Sequence, residues 1–95
     1  MASVTVKLFG VFRSDTHMAK ETFAIDKVAD IFPILNVKMN TVYSLNSAND
    51  PTLVQPEPIQ FKDAIVYVNG EKATRRSVKL KDGDEVWIMS PASGG

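Results

Sequence analysis

Val4, Val6 and Leu8 alternate with Thr5, Lys7 and Phe9, the two-residue period of a strand with one face in a core. This predicts a first strand over residues 3–9. A polar stretch from Arg13 to Lys20 follows, after which Phe23 and Ile25 resume the alternation. A second strand over 21–25 can therefore pair antiparallel with the first, as a hairpin with a long turn. Between Asp26 and Leu45 the period changes: Ile31, Leu35, Met39, Val42 and Leu45 recur three or four residues apart, as one side of a helix requires. Pro33 is compatible with this if Asp30 is the N-cap. The proline then takes the third helical position, where an N–H would lack an intrahelical acceptor. That reading gives a helix over 31–45; a short helix beginning at Lys27 and stopping before Pro33 competes with it.

Residues 46–63 contain Pro51, Pro56 and Pro58 with little periodicity. An irregular stretch that long is unusual in a compact domain, and it reads as a surface insertion. Ile65, Val66, Tyr67 and Val68 form a β-branched and aromatic run that ends at Asn69-Gly70, a tight-turn dipeptide. Val78 and Leu80 then alternate toward Asp82-Gly83-Asp84, a second turn signal, and Val86 to Met89 make the last strand. The expected organisation is one domain over residues 1–89 and a flexible tail over 90–95.

The order of hairpin, helix, strand, turn and strand fits an α+β sheet with a helix packed on one face. Alternation assigns Val4, Val6, Leu8, Val66, Val68, Val86 and Ile88 to the helix side. Phe9, Tyr67 and Trp87 fall on the opposite, open face. There they are a candidate docking patch, since aromatics are enriched among interface anchors. The bland alternative is that the insertion folds over them.

Composition narrows the function. Eleven basic residues balance eleven acidic ones, so the chain lacks the cationic field on which nucleic-acid binders depend. No apolar run approaches the roughly 20 residues that span a bilayer, and no signal-like segment opens the chain. A cytoplasmic location is expected, without membrane or nucleic acid as a partner. There is no cysteine, which removes disulfides, thiolate metal sites and thiol catalysis. The single histidine, His17, sits among Ser14, Asp15, Thr16 and Met18, with no second imidazole to share a metal, and reads as a solvated loop residue. Asp82 and Asp84 read as turn residues that fix the last strand. Arg13, Arg75 and Arg76 either steer an acidic partner or are scattered surface charge. Phosphate-cradling glycine loops, paired-histidine zinc motifs and hydrolase elbows are missing, so the chain is not expected to be an enzyme by itself.

The terminus carries the chemistry. Gly94-Gly95 follow a short Ser90-Pro91-Ala92-Ser93 extension, and two final glycines arise by chance in roughly 0.5% of chains at about 7% glycine. A tag remnant, or a chain that extends further, is the other source. Extended at ~3.3 Å per residue, the segment from Ser90 to Gly95 reaches about 20 Å, beyond the roughly 12 Å radius of gyration of such a domain. Glycine lets the backbone pass a narrow channel, and an activated glycyl carbonyl cannot epimerise. The Gly95 carboxylate, anionic at neutral pH, can attack the α-phosphorus of ATP if a partner supplies magnesium and cations. The acyl-adenylate can then accept sulfur.

The segments Val4-Thr5-Val6-Lys7-Leu8-Phe9-Gly10, Val66-Tyr67-Val68-Asn69-Gly70 and Leu80-Lys81-Asp82-Gly83-Asp84-Glu85-Val86, with the Gly94-Gly95 end, resemble the β-grasp, ubiquitin-like sulfur carriers. The similarity is greatest to the small subunits of molybdopterin synthase and weaker to the shorter thiamine-pathway carriers. It covers residues 3–25 and 63–95. The resemblance implies a β-grasp fold, with a mixed sheet of four to five strands and one main helix. It implies that Gly95 is adenylated by an E1-like enzyme using ATP and magnesium, with Gly94 as its slender neighbour, and becomes a thiocarboxylate. It further implies that the tail, with Ser93 among its partner-binding residues, enters the large subunit of molybdopterin synthase and donates sulfur to the cofactor precursor. No cofactor or metal is expected on this chain. Pro33, the 46–63 stretch and the Ser90-Pro91-Ala92-Ser93 approach depart from the family pattern. Three other readings stay open: a carrier for thiamine, tRNA or cysteine biosynthesis; a ubiquitin-like modifier joined to lysines through Gly95; and a non-covalent binding domain.

Overall fold

The computed structural model describes residues 1–91. Strand β1 (Ala2–Leu8) pairs antiparallel with β2 (Lys20–Ile25) and parallel with β5 (Glu85–Met89). Strand β3 (Ile65–Val68) runs antiparallel to β5 on its other side, and the two-residue β4 (Glu71–Lys72) closes that edge. The sheet order is therefore β2-β1-β5-β3-β4. The inward residues of the two central strands, Val4, Val6, Leu8, Val86 and Ile88, are all buried. The long helix α2 (Ile31–Ser47) covers them with Ile31, Phe32, Leu35 and Met39. A mixed sheet grasping one helix is the β-grasp arrangement.

The turn between β1 and β2 is not a plain loop. A six-residue helix, α1 (Val11–Thr16), begins before the polar stretch and runs into it, buries Phe12 and Thr16 and packs against α2. The Thr16 hydroxyl donates to the Phe12 carbonyl at 2.7 Å and accepts the Met18 N–H at 3.2 Å, so its burial leaves no polar atom unpaired. His17 is exposed, at the left-handed C-cap of α1.

Helix α2 starts at Ile31 and keeps Pro33 at its third position, as the longer reading required. The cap differs. Asp30 makes no side-chain bond to α2, and its carboxylate instead accepts the Asp26 and Lys27 N–H groups at 3.1 Å each. It thereby fixes a 3-10 turn at Val28–Asp30 that leads into α2. The far end also differs. The helix runs to Ser47, past the last buried position at Met39, so Val42 is half-buried and Leu45 is 67% exposed.

The 46–63 stretch is accordingly shorter and better anchored than expected. It ends in a 3-10 turn at Phe61–Asp63, and Ile59 is buried in the main core. The Asn36 amide clips Ile59 to α2, donating to its carbonyl at 3.0 Å and accepting its N–H at 2.6 Å. Gln55 reaches Asn40 at 3.2 Å. The stretch thus packs on the helix side and leaves the aromatic face uncovered.

Two turns set the register of the central strands. Asn69 and Gly70 have φ of 52° and 86°, the paired left-handed geometry of a tight hairpin turn. The Asp82-Gly83-Asp84 turn is held from both sides. Asp82 accepts the Ser3 N–H at 2.7 Å, and Gly83 donates to the Ser3 carbonyl at 2.9 Å. The Asp84 carboxylate accepts the Asn69 amide at 2.9 Å and the Lys81 N–H at 2.8 Å. These bonds, the Asn69 one first, hold the Asp84 carboxyl below the ordinary carboxylate range. A lowered folded pKa stabilises above the unfolded value of about 4, and that contribution is lost as pH falls through the folded value. Asp84→Ala is expected to cost about 1 kcal/mol at pH 7, given partial exposure. Urea unfolding of both proteins at pH 7 and at pH 2 checks this. The gap should narrow at the lower pH, and a pH-independent gap contradicts the assignment.

Candidate functional site

Because β1 and β5 are parallel, their C-terminal ends lie at the same end of the sheet. The Phe9 N–H donates to the Ile88 carbonyl at 3.0 Å, tying the exit of β1 to the exit of β5. Gly10 follows with φ 65°, and a Cβ there would lie 3.2 Å from the Ser90 hydroxyl. A side chain at residue 10 would therefore be strained and would crowd the root of the C-terminal segment. Gly10 thus lies against the root of the C-terminal segment, a placement with no signal in the local sequence. Ser93, Gly94 and Gly95 lie outside the described residues.

The three aromatics fall where alternation assigned them. Trp87 is 36% exposed and Phe9 is 39% exposed. Their rings meet edge to face at 5.9 Å between centroids, a favoured aromatic geometry. Tyr67 lies directly opposite Trp87 in the β3–β5 register. Pairing across the whole sheet extends this into one row on the open face: Lys20, Lys7, Trp87, Tyr67, Lys72. The row has an aromatic centre and cationic flanks, and its lysines become visible only once the register is known.

Glu85 supplies a carboxylate beside this row. It accepts the Trp87 indole N–H and lies 3.5 Å from the Lys7 ammonium. The indole bond first, then the lysine charge, hold the Glu85 carboxyl below its usual range. The bond fixes the N–H edge of the indole while Trp87 stays 36% exposed. Replacing Trp87 with Asp is expected to weaken capture by a cognate partner about 30-fold or more, while shifting Tm by only a few degrees. Binding isotherms with calorimetric melting check both. A collapse of Tm would place Trp87 in the core instead.

Among the described residues no three His, Asp or Glu side chains gather as a metal site would require. No helix among them is long and apolar enough to cross a membrane. The described residues offer an exposed aromatic face and a chain exit tied to the end of β1.

Comparison with known proteins gives this geometry a family. No curated protein sequence matches the chain. Among solved structures, the small archaeal modifier protein 1 of Methanosarcina acetivorans superposes with TM-score 0.70 at 27% identity, covering 100% of this chain and 98% of its own. A putative molybdopterin converting factor subunit 1 from Pyrococcus furiosus gives TM-score 0.65 at 23% identity, with 96% and 99% coverage. The Amycolatopsis orientalis BexX/CysO complex contributes a chain with TM-score 0.56 at 25% identity, with 97% and 99% coverage. The ThiS family model matches residues 6–95. The chain belongs to the ThiS family, the ubiquitin-like sulfur carriers and modifiers.

Proposed function

We propose that this protein carries sulfur as a thiocarboxylate on Gly95 and donates it in molybdopterin biosynthesis, acting with partner enzymes and not as a catalyst itself. The observation that carries this reading is that the family match runs through Gly94 and Gly95, the residues whose chemistry suits activation. A carboxylate oxygen of Gly95 attacks the α-phosphorus of ATP and pyrophosphate leaves. A sulfur nucleophile supplied by a partner then attacks the acyl carbon, and AMP departs with the displaced oxygen. ATP and magnesium belong to the E1-like activating enzyme, whose cations offset repulsion between the two anions. The large subunit of molybdopterin synthase is the proposed receiver of the tail.

The open face supports the same reading. A partner that takes the tail approaches the end of the sheet where Gly10 and Ser90 meet, on the side from which Trp87 and Tyr67 can also be reached. The lysines flanking the row fit an acidic partner surface and favour fast, oriented encounter. Incubation with the cognate activating enzyme, ATP and a sulfur source should raise the intact mass by the difference between a sulfur and an oxygen atom. An unchanged mass with a demonstrably active activator would count against the proposal.

The 27% identity to a small archaeal modifier protein favours one second reading. In it the same acyl-adenylate is passed to a lysine of another protein, forming an isopeptide bond through Gly95. Lysines of other proteins that carry the 82–95 segment of this chain after tryptic cleavage at Lys81, in digests of the native cell extract, would distinguish it from sulfur donation alone.

A further inference from the structure

A second recessed surface lies on the helix side of the domain. It is a groove of about 680 Å³ between the first turns of α2, the 59–62 segment and the 74–77 turn. That size falls within the roughly 300–1,000 Å³ typical of ligand pockets. Its wall and floor are apolar, with Phe32, Pro33, Ile59 and Phe61 contributing. Phe32 and Phe61 meet edge to face at 6.1 Å between centroids. The wall is held in place by the Asn36 clip on Ile59 and by the bond from the Ala29 N–H to the Arg76 carbonyl at 2.9 Å. Lys62, Arg75 and Arg76 line the same groove. All three are exposed, and none forms an ion pair among the described residues. Asp63, next to Lys62 in sequence, and Asp30, next to the lining Ala29, do not line it.

The geometry points to this groove as a docking site for an acidic peptide segment of a partner protein, with one or two apolar side chains seated against Phe61 and Ile59 and flanking carboxylates on Lys62, Arg75 and Arg76. Charge complementarity selects the occupant. A cationic lining around an apolar floor, on a chain of zero net charge, does not form the broad positive field of a nucleic-acid binder. Apolar anchors ringed by carboxylates satisfy both parts of the groove, and arginine offers each carboxylate a forked pair of donors. The surface is separate from the row on the opposite face of the sheet. An acidic segment here and a partner at Trp87 can therefore bind together, and the inference stands whether or not Gly95 carries sulfur.

The test is amide NMR of the isotope-labelled full chain, titrated with a blocked hexapeptide in which four aspartates flank a central leucine-phenylalanine pair. Saturable shifts are expected at residues 29–36, 59–62 and 74–77, with none at Trp87. Arg75→Glu with Arg76→Glu should weaken binding roughly tenfold or more, and 0.5 M salt should weaken it further, as screening shortens the reach of exposed charges. An unchanged spectrum elsewhere in the double variant verifies its fold. An asparagine version of the peptide should bind at least tenfold more weakly. Several results overturn the proposal: no saturable shifts, equal binding of the asparagine peptide, the same shifts with inorganic phosphate alone, or shifts that depend on protein concentration without peptide. The last two assign the groove to a small anion and to a second copy of the chain.

Discussion

Removing Gly95, or adding a leucine after it, is expected to reduce ATP–pyrophosphate exchange with the activating enzyme by at least about 1,000-fold. Loss of one residue withdraws the carboxylate by roughly 3.5 Å, and a misplacement of about 1 Å already costs on the order of 100-fold in a positioned reaction. The added leucine both carries the carboxylate outward and places a branched side chain in a path suited to glycine. Neither change touches the described fold, because β5 ends at Met89. Melting curves of the two variants should therefore overlay that of the parent. Exchange within about tenfold of the parent would remove the main-chain carboxylate from the account.

The second large effect is on stability. Leu35 is fully buried on α2, facing the central strands, and truncation to alanine at such a site costs about 2–5 kcal/mol. Domains of this size hold roughly 5–15 kcal/mol in total and lose about 4–8 °C of Tm per kcal/mol. Leu35→Ala should therefore lower Tm by roughly 10–40 °C in a calorimetric melt. Leu45→Ala, on the same helix but 67% exposed, should shift it by no more than a few degrees. Equal effects at the two positions would contradict the placement of α2.

That contrast marks where local pattern stops informing. Strands β1, β3 and β5 could be read directly, because alternation and the Asn69-Gly70 and Asp82-Gly83-Asp84 turns agree. The start of α2 could also be read, although Asp30 acts on the Asp26 and Lys27 N–H groups and not as the expected cap. Leu45 keeps the helical period, yet the helix has already passed the core, and periodicity does not register where the sheet ends. Helix α1 buries only Phe12 and Thr16, too few positions to establish a period. Ile59 sits alone between Pro58 and Gln60, and its burial depends on Asn36, 23 residues away.

The candidate site divides in the same way. The open-face placement of Tyr67 and Trp87 follows from alternation within a strand. Lys20, Lys7 and Lys72 join their row only through cross-strand register, and the groove draws on three segments far apart in sequence. The placement of Gly10 depends on Ser90 coming alongside it, a tertiary contact with no local signal. Gly94 and Gly95 lie outside the described residues, and their candidacy rests on chemistry, on what an unbranched residue allows.

Fragmentation of the intact protein, isolated from its own cells under sulfur-replete growth, tests the central claim most directly. The account predicts that the oxygen-to-sulfur mass difference resides wholly in the C-terminal fragment ions that contain Gly95, and is absent from those of a chain lacking that residue. A mass difference on any other fragment, or one that persists without Gly95, would contradict it.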